Sequence, residues 1–283
     1  MTIKPFLFQI FLLFILFPGS GELYAQYTKC GTTITPQQVA KEAAIPDSGQ
    51  FQVQFAPERC FGKTISITAH LIADSLGDYG ISEAAVIGSI QTLNTFFAPI
   101  CISFEVCKFN YIPNYKYTKF LKPDEEAELI TLYSIPNTIN IYYPTRVETS
   151  PGSIVGGYAY FPGGEDFIVI SRGTPGIILH EMGHFFGLYH TFETQFGQEY
   201  ANGTNCATTG DLVCDTPADP GLGNTAAPDC QLSPYITDPN NEWYVPQIGN
   251  IMSYYSDDCM CGFTVQQYNR MASNYQNSRF YLW

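Results

Sequence analysis

Three of the four histidines in the chain fall in the stretch HEMGHFFGLYH, from His180 to His190. His180 and His184 are four residues apart, so a helix presents both from one face. Glu181 is turned about a third of a turn away, too far to share a metal with them but near enough to reach a water held there. Gly187 can take a positive φ, end the helix and turn the chain back, which brings His190 beside the other two. Three neutral imidazoles with one open position form the donor set of a catalytic zinc, whereas a structural zinc is closed by four protein ligands. The bare HExxH pattern also occurs by chance in helices that hold no metal. With Gly187 and His190 in place it is far more specific. The competing reading is a polar helix face with incidental histidines.

These groups need a helix beneath them. TPGIILHEMGHFFG supplies one, with Thr174 as N-cap, Pro175 at the first position and Gly187 as terminator. Upstream the chain alternates strands and helices. KTISITAHLIAD, Lys63 to Asp74, alternates apolar and polar residues as a strand does. SEAAVIGSIQTLNTFF starts on Ser82 as N-cap and places Val86, Ile90, Leu93 and Phe97 at helical spacing. CISFEVCKF and TINIYYPTRV are each predicted as one strand, and YAYFPGGEDFIVISRG as two short strands around a Gly-rich turn. TVQQYNRMASNYQNSRF is predicted as a last helix. Between Thr191 and Asn250 the chain is rich in Gly, Pro, Asn and Asp and lacks periodicity, so cross-links or ions must order it. His70, on a strand, is expected to be a structural histidine with its polar atoms satisfied.

The 283 residues suffice for one large domain or two small ones. Charged residues are only 14% and the net charge is -13, which argues against a nucleic-acid partner. Lys4 precedes the apolar run FLFQIFLLFILF, which Pro18 and Gly19 break. The run is too short for a membrane span of ~20 residues and suits a signal peptide, residues 1–25, cleaved after Ala25. The mature form then has no membrane anchor, and export permits disulfides. All nine cysteines follow that point, and the odd count leaves at least one thiol with another task. Residues 26–60 are too few to fold alone and form a lead-in, with a short helical stretch near Pro36 to Ala44.

His180, Glu181, His184, Gly187 and His190 resemble the HExxHxxGxxH signature of the metzincin zinc peptidases. GDLVCDTPAD, Gly210 to Asp219, and MSYYSDDCMCGFTVQQYNRM, Met252 to Met271, resemble the pappalysin family among them. The likeness runs from about Lys63 to the C-terminus and is densest after His180. Two departures are Ser253, where the family more often has Asp, and Cys214, where it often has a small residue. The resemblance implies an α/β (α+β) metzincin-like fold: a twisted, mostly parallel sheet with an antiparallel edge strand, a backing helix and an active-site helix. An irregular C-terminal subdomain with a methionine turn at Met252 follows. It implies a catalytic domain over 61–283, with subdomains divided near 187.

Function follows as an expectation: a secreted zinc endopeptidase acting on protein or peptide substrates, made as a latent precursor. Glu181 would act as general base toward a zinc-bound water. The likeness makes Tyr254 the hydrogen-bond donor to the developing oxyanion, with Tyr255 as competitor. GGYAYFPG would form the upper rim of the cleft, where an extended substrate pairs, and Asp258 would favour Arg or Lys after the scissile bond. Asp211, Asp215, Thr216 and Asp219 would hold a structural calcium, against the alternative of Asx-turns with no ion. The family pattern pairs Cys230 with Cys259. Cys206 could pair with Cys214, or either with Cys261, and Cys101 could bridge to Cys107; sequence alone leaves these pairings open. KCGT, Lys29 to Thr32, resembles the cysteine-switch segments of metzincin zymogens, so Cys30 would close the zinc site until cleavage near Arg59. A Cys30–Cys60 disulfide is the alternative. Two other functional classes compete: a non-catalytic zinc-binding module retaining the fold, against which Glu181 speaks, and a zinc hydrolase of non-peptide amides. The oligomeric state is not legible.

Overall fold

A computed structural model describes residues 27–35, 60–221, 230–231 and 236–282. The signal-peptide run, the stretch near Pro36 to Ala44 and Arg59 lie outside them. Strand β1 spans Tyr27–Cys30 and β2 Lys63–Ile72. Helix α1 spans Glu83–Phe97, and strands β3 and β4 cover Ile102–Ile112 and Lys119–Leu121. Helix α2 follows at Lys122–Tyr133. Strands β5 to β8 are Ile139–Tyr143, Arg146–Ser150, Ser153–Ala159 and Phe167–Ile170. Helix α3 is Ile178–Phe185, and α4 is Val265–Asn274, continued by a π turn at Tyr275–Arg279.

The sheet runs β3-β2-β5-β8-β7-β6-β4, with β1 added on β7. Pairings β2–β3, β2–β5 and β5–β8 are parallel, while β7 runs antiparallel to β8 and β6. This is the mostly parallel metzincin-like sheet with its reversed strand at the cleft. Its central strands are apolar on both sides: β5 is buried throughout and β8 likewise, as strands sandwiched between two layers must be. One core joins the sheet to α1, α3 and α4 through Leu93, Phe97, Ile141, Phe185, Phe186 and Met271. A second core, with Tyr117, Phe120, Leu129 and Tyr158, covers the other face under α2.

Several elements follow from local chemistry. Ser82 caps α1 by accepting from the Ala85 amide, and its buried positions are Val86, Ile90, Leu93 and Phe97. Thr264 and Gln267 close a capping box on α4. Others differ from expectation. TINIYYPTRV breaks in two, because Pro144 has no N–H to continue the ladder. The zinc helix starts only at Ile178, after a 3-10 turn at Pro175–Ile177, and Thr174 is not its side-chain cap. The Thr174 hydroxyl donates instead to the Gly156 and Ser171 carbonyls. Helix α2, with only Leu129 buried, escapes periodicity reading for that reason.

The disulfides are Cys60–Cys101, Cys206–Cys214 and Cys230–Cys259; Cys30, Cys107 and Cys261 are free. The expected Cys101–Cys107 bridge is wrong, because six residues along an extended strand span roughly 20 Å. A disulfide needs Cα atoms within about 7 Å. The alternative Cys30–Cys60 bridge is excluded by the same pairing. His70 is fully buried, with Nε2 2.9 Å from Asn140 Oδ1, Nδ1 2.9 Å from Asn110 Nδ2, and its ring stacked on Tyr142. Burial lowers its pKa to about 4, so it is a neutral structural histidine.

Candidate metal centre and active site

Helix α3 carries His180, Glu181 and His184, all fully buried. Gly187, with φ 90°, ends the helical run and turns the chain so that His190 comes back against them. The three Nε2 atoms lie 3.1, 3.1 and 3.2 Å apart. His180 Nδ1 is 2.7 Å from the Ile251 carbonyl and His184 Nδ1 is 2.7 Å from the Leu188 carbonyl. A carbonyl oxygen only accepts, so both Nδ1 atoms carry the proton and both Nε2 atoms present bare lone pairs. Burial pushes His180 well below the usual histidine range and His184 down to about 4, so no imidazolium proton sits between them. Lone pairs this close require a cation. The spacing suits a tetrahedral zinc, whose ligand nitrogens, at about 2.0–2.1 Å from the metal, stand roughly 3.3 Å apart.

A fourth group that could hold a metal here is Cys30. Its Sγ and the three histidine nitrogens all lie within 4.8 Å of one another, and no other such group of three or more occurs among the described residues. Burial first, then the Glu181 charge, push the Cys30 thiol well up, so a thiolate here also needs a cation beside it. The chain reaches this point because β1 pairs in parallel with β7, Tyr27 against Ile154 and Cys30 against Gly157. The Gly31 amide then donates to the Gly157 carbonyl at 2.8 Å. The lead-in therefore lies on the rim strand where an extended substrate was expected.

Glu181 faces the same space. Thr32 Oγ1 donates to Glu181 Oε2 at 3.0 Å and Cys30 Sγ stands 3.5 Å from that oxygen. Glu181 Oε1 is buried with no partner. Burial raises the carboxyl to about 8. The Tyr254 hydroxyl donates to the Cys30 carbonyl at 3.0 Å, and its ring lies 5.0 Å from His190 and 5.7 Å from His180. Its pKa is raised by burial, with Cys30 and Glu181 adding to the shift, so the phenol stays a donor. The Tyr255 hydroxyl is turned onto Asp219 Oδ1 at 3.3 Å.

Met252 is fully buried against Gly183 of α3, where an added Cβ would overlap its sulfur. The same turn supplies the Ile251 carbonyl to His180, and the Met252 carbonyl accepts from the Thr191 amide beside His190. Asp219 accepts from Thr191 Oγ1 and from Ser253 Oγ, at 2.7 and 3.1 Å, tying the third ligand's segment to the methionine turn. Asp211 accepts from Thr216 and the Val213 amide, and Asp215 from Thr264 and the Gln266 amide. These carboxylates are thus separate Asx-type and capping acceptors, not one cluster. Asp258 is exposed in the 3-10 turn Asp257–Cys259, and its neighbour Asp257 holds Lys29 Nζ at 2.7 Å. Sequence reading missed Thr32, Asp257 and the hub at Asp219, since their partners lie far away along the chain.

Comparison with known proteins agrees with this geometry. The peptidase M43 family model, described as pregnancy-associated plasma protein-A, matches residues 169–276. An extracellular metalloprotease of Pyricularia oryzae is 30% identical over 237 residues, covering 76% of each chain. One from Colletotrichum graminicola is 28% identical over 271 residues, covering 86% of this chain and 88% of that protein. Mature mirolysin of Tannerella forsythia, solved with a cleaved peptide, shares the fold with a TM-score of 0.53 at 21% identity, over 74% of this chain and 89% of that one. The chain therefore belongs to the pappalysin family of metzincins and is a zinc metalloprotease.

Proposed function

We propose that the protein is a secreted endopeptidase made as a latent precursor, with residues 1–25 a signal peptide, 26–60 a pro-segment and 61–283 the catalytic domain, its subdomains meeting near 187. The observation that carries the reading is the convergence of the Nε2 atoms of His180, His184 and His190 and the Cys30 sulfur on one point. Zinc, when bound by His180, His184 and His190, supplies a Lewis acid that lowers the pKa of a water toward about 7. Glu181 takes the proton at its carboxylate, whose Oε2 stands 3.5 Å from the Cys30 sulfur in the open position, and delivers it to the leaving amine. Tyr254 directs its hydroxyl at a main-chain carbonyl of the cleft, here that of Cys30, and in turnover donates to the oxyanion. Met252 packs beneath the zinc helix as a soft floor.

Latency follows from the same contacts. Cys30 fills the open position, Thr32 holds the base, and β1 occupies the rim strand's hydrogen-bonding edge. Cleavage near Arg59 frees this segment, while Cys60 stays attached through Cys101. Lys29 on Asp257 supports a preference for basic residues after the scissile bond, read by the acidic pair Asp257 and Asp258. A calcium in the 211–219 loop would have to recruit carbonyl oxygens, because the carboxylates already hold protein donors. A calcium-selective chelator that leaves the melting temperature unchanged removes it.

The deciding experiment is cleavage of casein by the processed chain, with zinc content measured alongside. We expect one zinc per chain, activity lost to a zinc chelator and restored by zinc. A chain that holds zinc yet cleaves no protein would instead favour the binding module.

A further inference from the structure

We propose that Arg270, Asn274 and Arg279, on one face of the C-terminal helix, are positioning residues that set the turn joining the second and third zinc ligands. The inference rests on the zinc reading above. A helix leaves its last carbonyls without intrahelical donors. Here three consecutive ones, at Phe185, Phe186 and Gly187, each receive a donor from far along the chain. Arg279 Nε donates to the Phe185 carbonyl at 2.9 Å, Asn274 Nδ2 to Phe186 at 3.0 Å, and Arg270 Nε to Gly187 at 2.7 Å. These carbonyls immediately follow His184, and His190 comes three residues after Gly187.

The spacing of the donors is itself informative. Arg270 and Asn274 are four apart and share an α-helical face. Arg279 is five beyond Asn274, which on an α-helix would carry it about 140° round the axis. The π turn at Tyr275–Arg279 absorbs the extra residue and returns Arg279 to the common face. Arg279 is fully buried, and Asn274 is 4% exposed.

Arg279 reaches further. Its Nη2 donates to the Tyr160 and Phe161 carbonyls at 2.9 and 3.2 Å, and its Nη1 pairs with Asp166. That fixes the loop leaving the rim strand, where the Phe161 ring stands edge-on to His184 at 5.4 Å. The guanidinium also lies 3.5 Å from the Phe185 ring centroid. Burying a guanidinium–carboxylate pair is close to neutral for stability compared with apolar packing. Its effect here lies in geometry: these donors hold the turn whose next carbonyl, at Leu188, orients His184, and groups that orient histidine ligands typically govern metal affinity 10–100-fold.

The test uses the full chain with Arg270→Met, Asn274→Ala and Arg279→Lys, and Leu129→Ala on the other face of the sheet as a stability control. Zinc affinity is measured by competition with a chromophoric chelator, the ligand field by the visible spectrum of the cobalt(II)-loaded chain, and the melting temperature without metal. Arg270→Met and Asn274→Ala are expected to weaken zinc binding tenfold or more and to change the cobalt spectrum. Leu129→Ala should change neither, even at an equal loss of melting temperature. Arg279→Lys, if it folds, should change the spectrum in the same sense; if it does not fold, the other two decide. Unchanged affinity and spectrum in those two, or equal changes in the control, overturn the proposal. A wild-type chain that binds no zinc overturns the zinc reading instead, and this one with it.

Discussion

The chemistry depends on single atoms with assigned proton states. Two main-chain carbonyls, at Ile251 and Leu188, hold the Nδ1 protons of His180 and His184, and this alone makes their Nε2 atoms metal donors. Glu181 keeps one oxygen free and buried. Its replacement by Ala should leave zinc content near one per chain while kcat falls by about 10²–10⁴, the range of a general base; retained turnover would remove the role. Cys30→Ala should secrete a chain whose unprocessed form cleaves casein at more than ten times the wild-type precursor's rate. Thr32→Val should give a smaller rise of a few-fold, since it removes one hydrogen bond to the base worth about 1 kcal/mol. An unprocessed Cys30→Ala chain as latent as wild type rules out the switch.

At the scale of elements, the site is a meeting of three segments that share no local sequence. In the proposed reading the zinc helix gives two ligands and the base, the methionine turn supports them from beneath, and β1 closes the cleft from the lead-in. Helix and turn approach closely because position 183 is glycine. A Cβ there would overlap Met252 Sδ and stand 3.2 Å from its Cε. Gly183→Ala should therefore cost about 1–3 kcal/mol, a drop of several degrees in melting temperature, and weaken zinc binding as the helix shifts. Calorimetry and zinc titration check both. The histidine spacing and Gly187 made the helix and its turn legible beforehand. Thr32 did not stand out, because a threonine two residues after a cysteine carries no signal until β1 is laid on β7.

For the whole molecule, the described part of the irregular segment after His190 is held by buried polar groups and two disulfides. Burial raises Asp211 to about 8, with Glu199 adding to the shift, and raises Glu199 itself to about 7. In the unfolded chain both carboxyls titrate near about 4. The folded chain thus holds more protons between those limits, so the stability they contribute is complete below about pH 4 and is lost as pH rises through 7 to 8. The wild-type melting temperature should fall between about pH 4 and 8, and Asp211→Asn should flatten that slope. An unchanged slope would show that these groups do not set it.

The sequence by itself singled out His180, His184, His190 and Glu181 as candidate ligands and base, because their spacing is local to one helix and its turn, and the resemblance of short local motifs pointed to the fold class and the family. The Cys230–Cys259 pair was legible through the family pattern. Only the tertiary structure decided that Cys60 pairs with Cys101, that Tyr254 rather than Tyr255 faces the histidines, and that Asp257 takes Lys29. Each of these is a contact between residues distant along the chain, and which of several chemically equal candidates meets depends on how strands and turns are brought together, which no local pattern encodes.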